Sequence, residues 1–120
     1  MKRLALLFLV AACSERGADP ASAECRSAHD AYRAAFVTAM GDRMAQLGSW
    51  GEKPDMESDL AVGKEMAESM TEQTMSRAEL ETMRATESKG GALAPEWERA
   101  IAAAGAAIDA CGEKVAPPRR

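Results

Sequence analysis

Methionine, cysteine and histidine are the residues of this chain whose chemistry reaches beyond packing. There are eight Met, three Cys and one His in 120 residues. Met40/Met44 and Met66/Met70 are pairs four apart, and Met75 and Met83 follow. Thioethers are soft ligands suited to Cu(I). They also fill irregular gaps in helical cores. Met40 and Met44 share a helical stripe with Phe36 and Leu47, and Met70 shares one with Leu60, as core residues should. No Met-x-Met or His-Met cluster tightens the copper reading, so core packing is the expected role.

Cys25 and His29 are four apart, so both project from one helix face. With Cys111 they would make three ligands for Zn²⁺. The same two sulfurs would equally form a disulfide with His29 as a bystander. A Cys-His nucleophile needs a free thiolate and an orienting third group, and Asp30 beside His29 faces elsewhere. Glu65, Glu68 and Glu72 form an i, i+3, i+7 ridge that could hold Ca²⁺ or a basic partner, although the usual meaning is a solvated helix face. The chain has no phosphate-cradling glycine loop, Gly-x-Ser-x-Gly elbow or His-Glu-x-x-His helix. No catalytic residue and no resident cofactor are expected.

The first thirteen residues decide how the cysteines are used. Lys2-Arg3 is a positive start, Leu4 to Val10 is a short apolar run, and Ala11-Ala12 are small. This is the layout of a secretory signal. The run falls short of the roughly 18 apolar residues of a transmembrane helix. Val10-Ala11-Ala12-Cys13 resembles the lipobox of bacterial lipoproteins. The resemblance implies cleavage before Cys13, lipid on its sulfur and amine, and a place in the cell envelope facing the periplasm. In enteric bacteria an Asp after that Cys retains lipoproteins at the inner membrane. Ser14 stands there, which by the same resemblance favours the outer membrane. With Cys13 lipidated and the chain exported, Cys25 and Cys111 are expected to pair as a disulfide.

The rest of the chain reads as 1–12 signal peptide, 13–21 lipidated Cys and tether, 22–113 helical domain and 114–120 extended tail. About 95 residues suffice for one small domain. Aromatics are only 4%, so the core must be built from Ala, Met, Leu and Ile. The formal charge is −4, and losing Lys2 and Arg3 leaves 13 basic against 19 acidic residues. That balance excludes nucleic acid as a partner. It points to a protein or envelope component, with the membrane engaged only through Cys13.

Periodicity places four helices. The first is expected over Ser22–Leu47, with Ser22 as N-cap and Cys25, Tyr32, Phe36, Met40, Met44 and Leu47 on one face. Gly41 within it is a weak spot worth up to about 1 kcal/mol. Gly48 to Pro54 reads as a loop, with Trp50 as a lid on the core. The second helix is expected over Met56–Thr74, burying Met56, Leu60, Gly63, Ala67, Met70 and Thr74, flanked by Val62, Met66 and Gln73. Ser76-Arg77-Ala78-Glu79 is a capping box that opens a third helix to Glu87, with only Leu80 and Met83 to pack. Glu79-Leu80 to Gly91 resembles a family of exported bacterial helical proteins of unknown function, with Met83 and Ala85 fitting its pattern and Thr86-Glu87 replacing its aromatic pair. The fourth helix runs Pro95–Cys111 on Trp97, Ile101, Ala104, Ile108 and Cys111, with Gly112 as C-cap. Ala100, Ala103 and Ala107 leave room for a close neighbour. The expectation is an all-α bundle of three or four helices closed by one disulfide, its first and last helices antiparallel.

Overall fold

A computed structural model of the chain describes residues 18–48, 56–89 and 91–118. The expectations for the signal peptide, Cys13, the first part of the tether and Trp50 fall outside these residues. Four helices are present: α1 (Ala23–Gly48), α2 (Met56–Met70), α3 (Arg77–Glu87) and α4 (Pro95–Cys111). There is no strand among the described residues. None of these helices is long and apolar enough to cross a membrane.

Local chemistry fixes most helix ends. Ser22 Oγ accepts the Cys25 N–H at 3.0 Å and so caps α1. At α3 the capping box is complete: Ser76 Oγ accepts the Glu79 N–H at 3.1 Å, and Glu79 accepts the Ser76 N–H. Pro95 occupies the first turn of α4, where its missing N–H costs nothing, and Glu96 and Glu98 lie in the same turn. Gly112 closes α4 with φ +99°, and its N–H reaches the Ile108 carbonyl at 2.8 Å.

α2 stops four residues before the predicted end, and long-range hydrogen bonds explain why. The Thr74 N–H, which a continuing helix would need, is taken by the Val115 carbonyl at 2.8 Å. Thr74 Oγ1 donates to the Gly112 carbonyl at 2.6 Å and accepts the Val115 N–H at 3.0 Å. His29 Nε2 lies 2.7 Å from the Thr71 carbonyl. A carbonyl only accepts, so Nε2 carries the proton. After Gly112 the chain turns at Glu113–Lys114 and docks on Thr74 through Val115.

α1 lies at the centre, packed against α2 on one side and α4 on the other. The Cys25–Cys111 disulfide joins the start of α1 to the end of α4, with Cα atoms 4.9 Å apart. Towards the other end of α1, Phe36 and Trp97 meet edge to face at 5.9 Å. α1 and α4 are therefore antiparallel. The bridge closes a span of 86 residues, worth about 4 kcal/mol on a chain-entropy view. α2 is also antiparallel to α1, because His29 meets Thr71 near one end and Gly41 meets Gly63 near the other. The backbone of α3 comes close to that of α4 alone, setting Leu80 over Gly105. The order across the molecule is α2, α1, α4, α3.

The core is an aromatic ladder inside a frame of small residues. Tyr32 and Phe36 meet at 4.9 Å, both edge to face. Around them lie Ala39, Met40, Met75, Leu80, Trp97, Ile101 and Ile108, with Ala100, Ala104 and Ala107 admitting α1. The predicted inner faces of α1 and α4 are buried wherever described, apart from half-buried Met44. The predicted inner face of α2 is corrected. Gly63, Ala67, Thr71 and Thr74 face inward, whereas Leu60 and Met70 are about 40% exposed, as are the flanking Val62 and Met66. The cause is the crossing with α1, which is too close for large side chains. Gly41 sits in that crossing, with its backbone against Gly63, the residue that cannot carry a side chain there.

Candidate functional site: a methionine-lined groove

The structure separates the predicted ligand sets. Cys25 and Cys111 are bonded to each other (S–S 2.05 Å) and buried, so neither offers a thiolate to zinc or a substrate. His29 is buried at the α1–α2 seam, with Nε2 committed to the Thr71 carbonyl. It is more than a bystander to the disulfide, since it holds the last turn of α2. Among the described residues no three His, Cys, Asp or Glu side chains are grouped to hold a metal ion.

The methionine pairs are also split. Met40 is in the core, and Met44 is half-buried one turn further along α1. Met66 and Met70 are exposed on α2 rather than packed in the core. A different set comes together. α2 and α3 make no backbone approach to each other, and the open space beside the Thr71–Ser76 link is a groove of about 610 Å³. Met70, Met75 and Met83 line it together with Thr74, Ala78 and Thr82. The sequence does not bring this set together, because its periodicity ends α2 at Thr74, four residues beyond Met70.

The ends of the groove carry carboxylates in ion pairs. Glu79, at one end, accepts from Lys114 Nζ at 2.8 Å. Hydrogen bonds from Lys114, then from Ser76, hold its carboxyl below the usual range. Glu87, at the other end, is paired with Arg43 of α1. The Arg43 guanidinium in turn lies 4.4 Å from the Trp97 ring centroid. This chain of contacts ties the end of α3 to both α1 and α4. Tyr32 in the core is fully buried, and its hydroxyl has no hydrogen-bond partner among the described residues. Burial, then the Glu79 charge, pushes its pKa up to about 12.

The acidic ridge stands on the opposite flank of α2. Glu65, Glu68 and Glu72 line a shallow depression with Ser69 and Arg33, so α1 supplies a cation beside the carboxylates. Past it is a polar hollow of about 490 Å³ walled by Arg26, His29, Asp30, Arg33, Glu72 and the tail at Pro117. Its charges are mixed and nearly balanced, unlike the groove with its apolar lining.

No known protein family, curated protein or solved structure matches this chain.

Proposed function

We propose that this protein is a lipid-anchored bacterial envelope protein whose helical domain acts by binding a protein or envelope component, without catalysing a reaction. The observation that carries this reading is the Cys25–Cys111 bridge. Of three cysteines it consumes two and leaves Cys13, the residue at the position where the lipobox resemblance puts the lipid. A disulfide also suits an oxidising compartment such as the periplasm. The signal-like segment 1–12 and the tether 13–21 supply the route and the leash. The exposed face of α2 that carries Leu60, Val62, Met66 and Met70 is the surface best suited to a partner, since soluble domains seldom leave several large apolar side chains open on one side.

A second reading has its own observation. Met70, Met75 and Met83 share one groove, and three thioethers suit Cu(I). Metal analysis of the protein purified from the envelope separates the two. Binding to a protein partner predicts no stoichiometric copper and a crosslinked partner in intact cells. About one copper per chain, lost on substituting Met75, favours the metal reading.

A further inference from the structure

We propose that the polar hollow between α1, the end of α2 and the tail binds a short peptide in its free, zwitterionic form, by its two charged ends. This site is distinct from the exposed face of α2 and does not depend on the lipid anchor. α1 brings Arg26, His29, Asp30 and Arg33 to the hollow. They stand at i, i+3, i+4 and i+7, the spacing at which a helix normally seats an apolar neighbour. Glu72, just past the end of α2, forms the facing wall. The tail closes the hollow at Pro117 and Pro118. Their fixed φ angles, and the docking of Val115 on Thr74, hold that wall in place before any ligand arrives.

The groups around the hollow are committed to little else. His29 is only 7% exposed, and its Nε2–H is spent on the Thr71 carbonyl. Nδ1 is therefore an acceptor, and no hydrogen bond reaches it from the described residues. Arg33 Nε is buried and likewise unpartnered among them. None of Arg26, Asp30, Arg33 and Glu72 joins an ion pair among the described residues. Both glutamates of the methionine groove do. The walls thus offer two guanidiniums, two carboxylates and one ring acceptor, with no net charge while His29 is neutral. A lone anion or cation meets as much repulsion as attraction there. A ligand carrying both a carboxylate and an ammonium meets partners for each. A guanidinium takes the carboxylate in paired hydrogen bonds, while Asp30, Glu72 and His29 Nδ1 accept from the ammonium. A phosphomonoester would bring about two negative charges and upset the balance. No large apolar side chain lines the hollow, so a lipid headgroup would leave its acyl chains without a seat. The volume, about 490 Å³, is in the range of small-molecule sites.

The test titrates the intact, isotope-labelled chain with glycylglycine and follows amide shifts by NMR. The expected result is saturable shifts confined to residues 26–33, 71–73 and 115–116. Acetate and methylammonium each carry one of the two charges and should bind about tenfold more weakly or worse. Arg26→Gln and Asp30→Asn should each weaken glycylglycine by about tenfold, the effect of losing one charge-assisted hydrogen bond. Arg84→Gln, exposed on α3, should leave it within about twofold, the small effect expected of a remote charge. Circular dichroism establishes that each variant is folded. Asp30 is exposed, so its variant covers the case in which half-buried Arg26 cannot be replaced. Acetate or methylammonium binding as tightly as glycylglycine would overturn the proposal, because one charge would then suffice. So would the absence of saturable shifts, shifts centred on the methionine groove, or equal weakening by Arg84→Gln. Vesicles of a zwitterionic phospholipid that produce the same shifts would assign the hollow to a headgroup and overturn the peptide. None of these failures touches lipidation of Cys13 or a protein bound elsewhere, which acylation and crosslinking measure independently.

Discussion

Gly63 of α2 meets Gly41 of α1 in backbone contact. A Cβ at Gly63 would stand 2.9 Å from the Gly41 Cα and 2.9 Å from the Met40 carbonyl oxygen. Both atoms belong to the backbone of a long helix and cannot step aside. Gly63→Ala should therefore destabilise the domain by about 1–3 kcal/mol, although Ala normally favours a helix. A Cβ at Gly41 would meet only the tip of Leu60, at 3.2 Å, and Leu60 is partly exposed and free to move. Gly41→Ala should be neutral or stabilising by up to about 1 kcal/mol. Urea unfolding of the two variants checks this, and the same effect in both would contradict the crossing geometry.

His29 should be worth more to α2 than to the disulfide beside it. His29→Ala leaves the buried Thr71 carbonyl without its 2.7 Å partner, at a cost of about 1–3 kcal/mol. Amide exchange should quicken in the last turn of α2 and stay unchanged around Cys111. A loss below about 0.5 kcal/mol, the range of an ordinary surface substitution, would mean that the contact holds nothing.

Tyr32 gives the fold a sensitivity to base. Its folded pKa, about 12, lies above the ordinary tyrosine value of 10.0. A raised pKa contributes stability that is complete below pH 10 and lost as pH climbs to 12. The loss is about 3 kcal/mol for two pKa units. Tyr32→Phe should flatten that pH dependence. At neutral pH it should also hold or raise stability, because it removes a buried hydroxyl with no partner among the described residues. A neutral-pH loss above about 1 kcal/mol would reveal a hydrogen bond to that hydroxyl.

α3 should open before α4. Its backbone approaches only that of α4, and Leu80 is its one fully inward apolar side chain. Ser76→Ala should cost about 1 kcal/mol and raise exchange across Arg77–Glu87. Slower exchange there than across Pro95–Cys111 would contradict the packing.

The elements legible in the sequence are those fixed by neighbours along the chain. The start of α3 follows from Ser76 and Glu79, and the bounds of α4 from Pro95 and Gly112. The Cys25–Cys111 pairing implied the antiparallel arrangement of α1 and α4. What escaped depends on contacts across the fold. Nothing near Thr74 announces that its N–H is claimed by Val115, and periodicity ranks Met70 above Gly63 as an inward residue. The crossing at Gly41 reverses that ranking, because backbones in contact leave room only for Gly and Ala. The groove was hidden for the same reason: its methionines gather across a helix end set by His29 and Thr74.

The most direct test of the central claim, a lipid-anchored envelope module, is metabolic labelling of a bacterial host with an alkyne fatty acid, using the wild-type chain and Cys13→Ala. Cys25 and Cys111 are engaged with each other, so a label on wild type reports Cys13. The account predicts a labelled wild-type chain that fractionates with membrane, and an unlabelled Cys13→Ala chain that is either uncut or released. Equal label in both, or none in either, would contradict it.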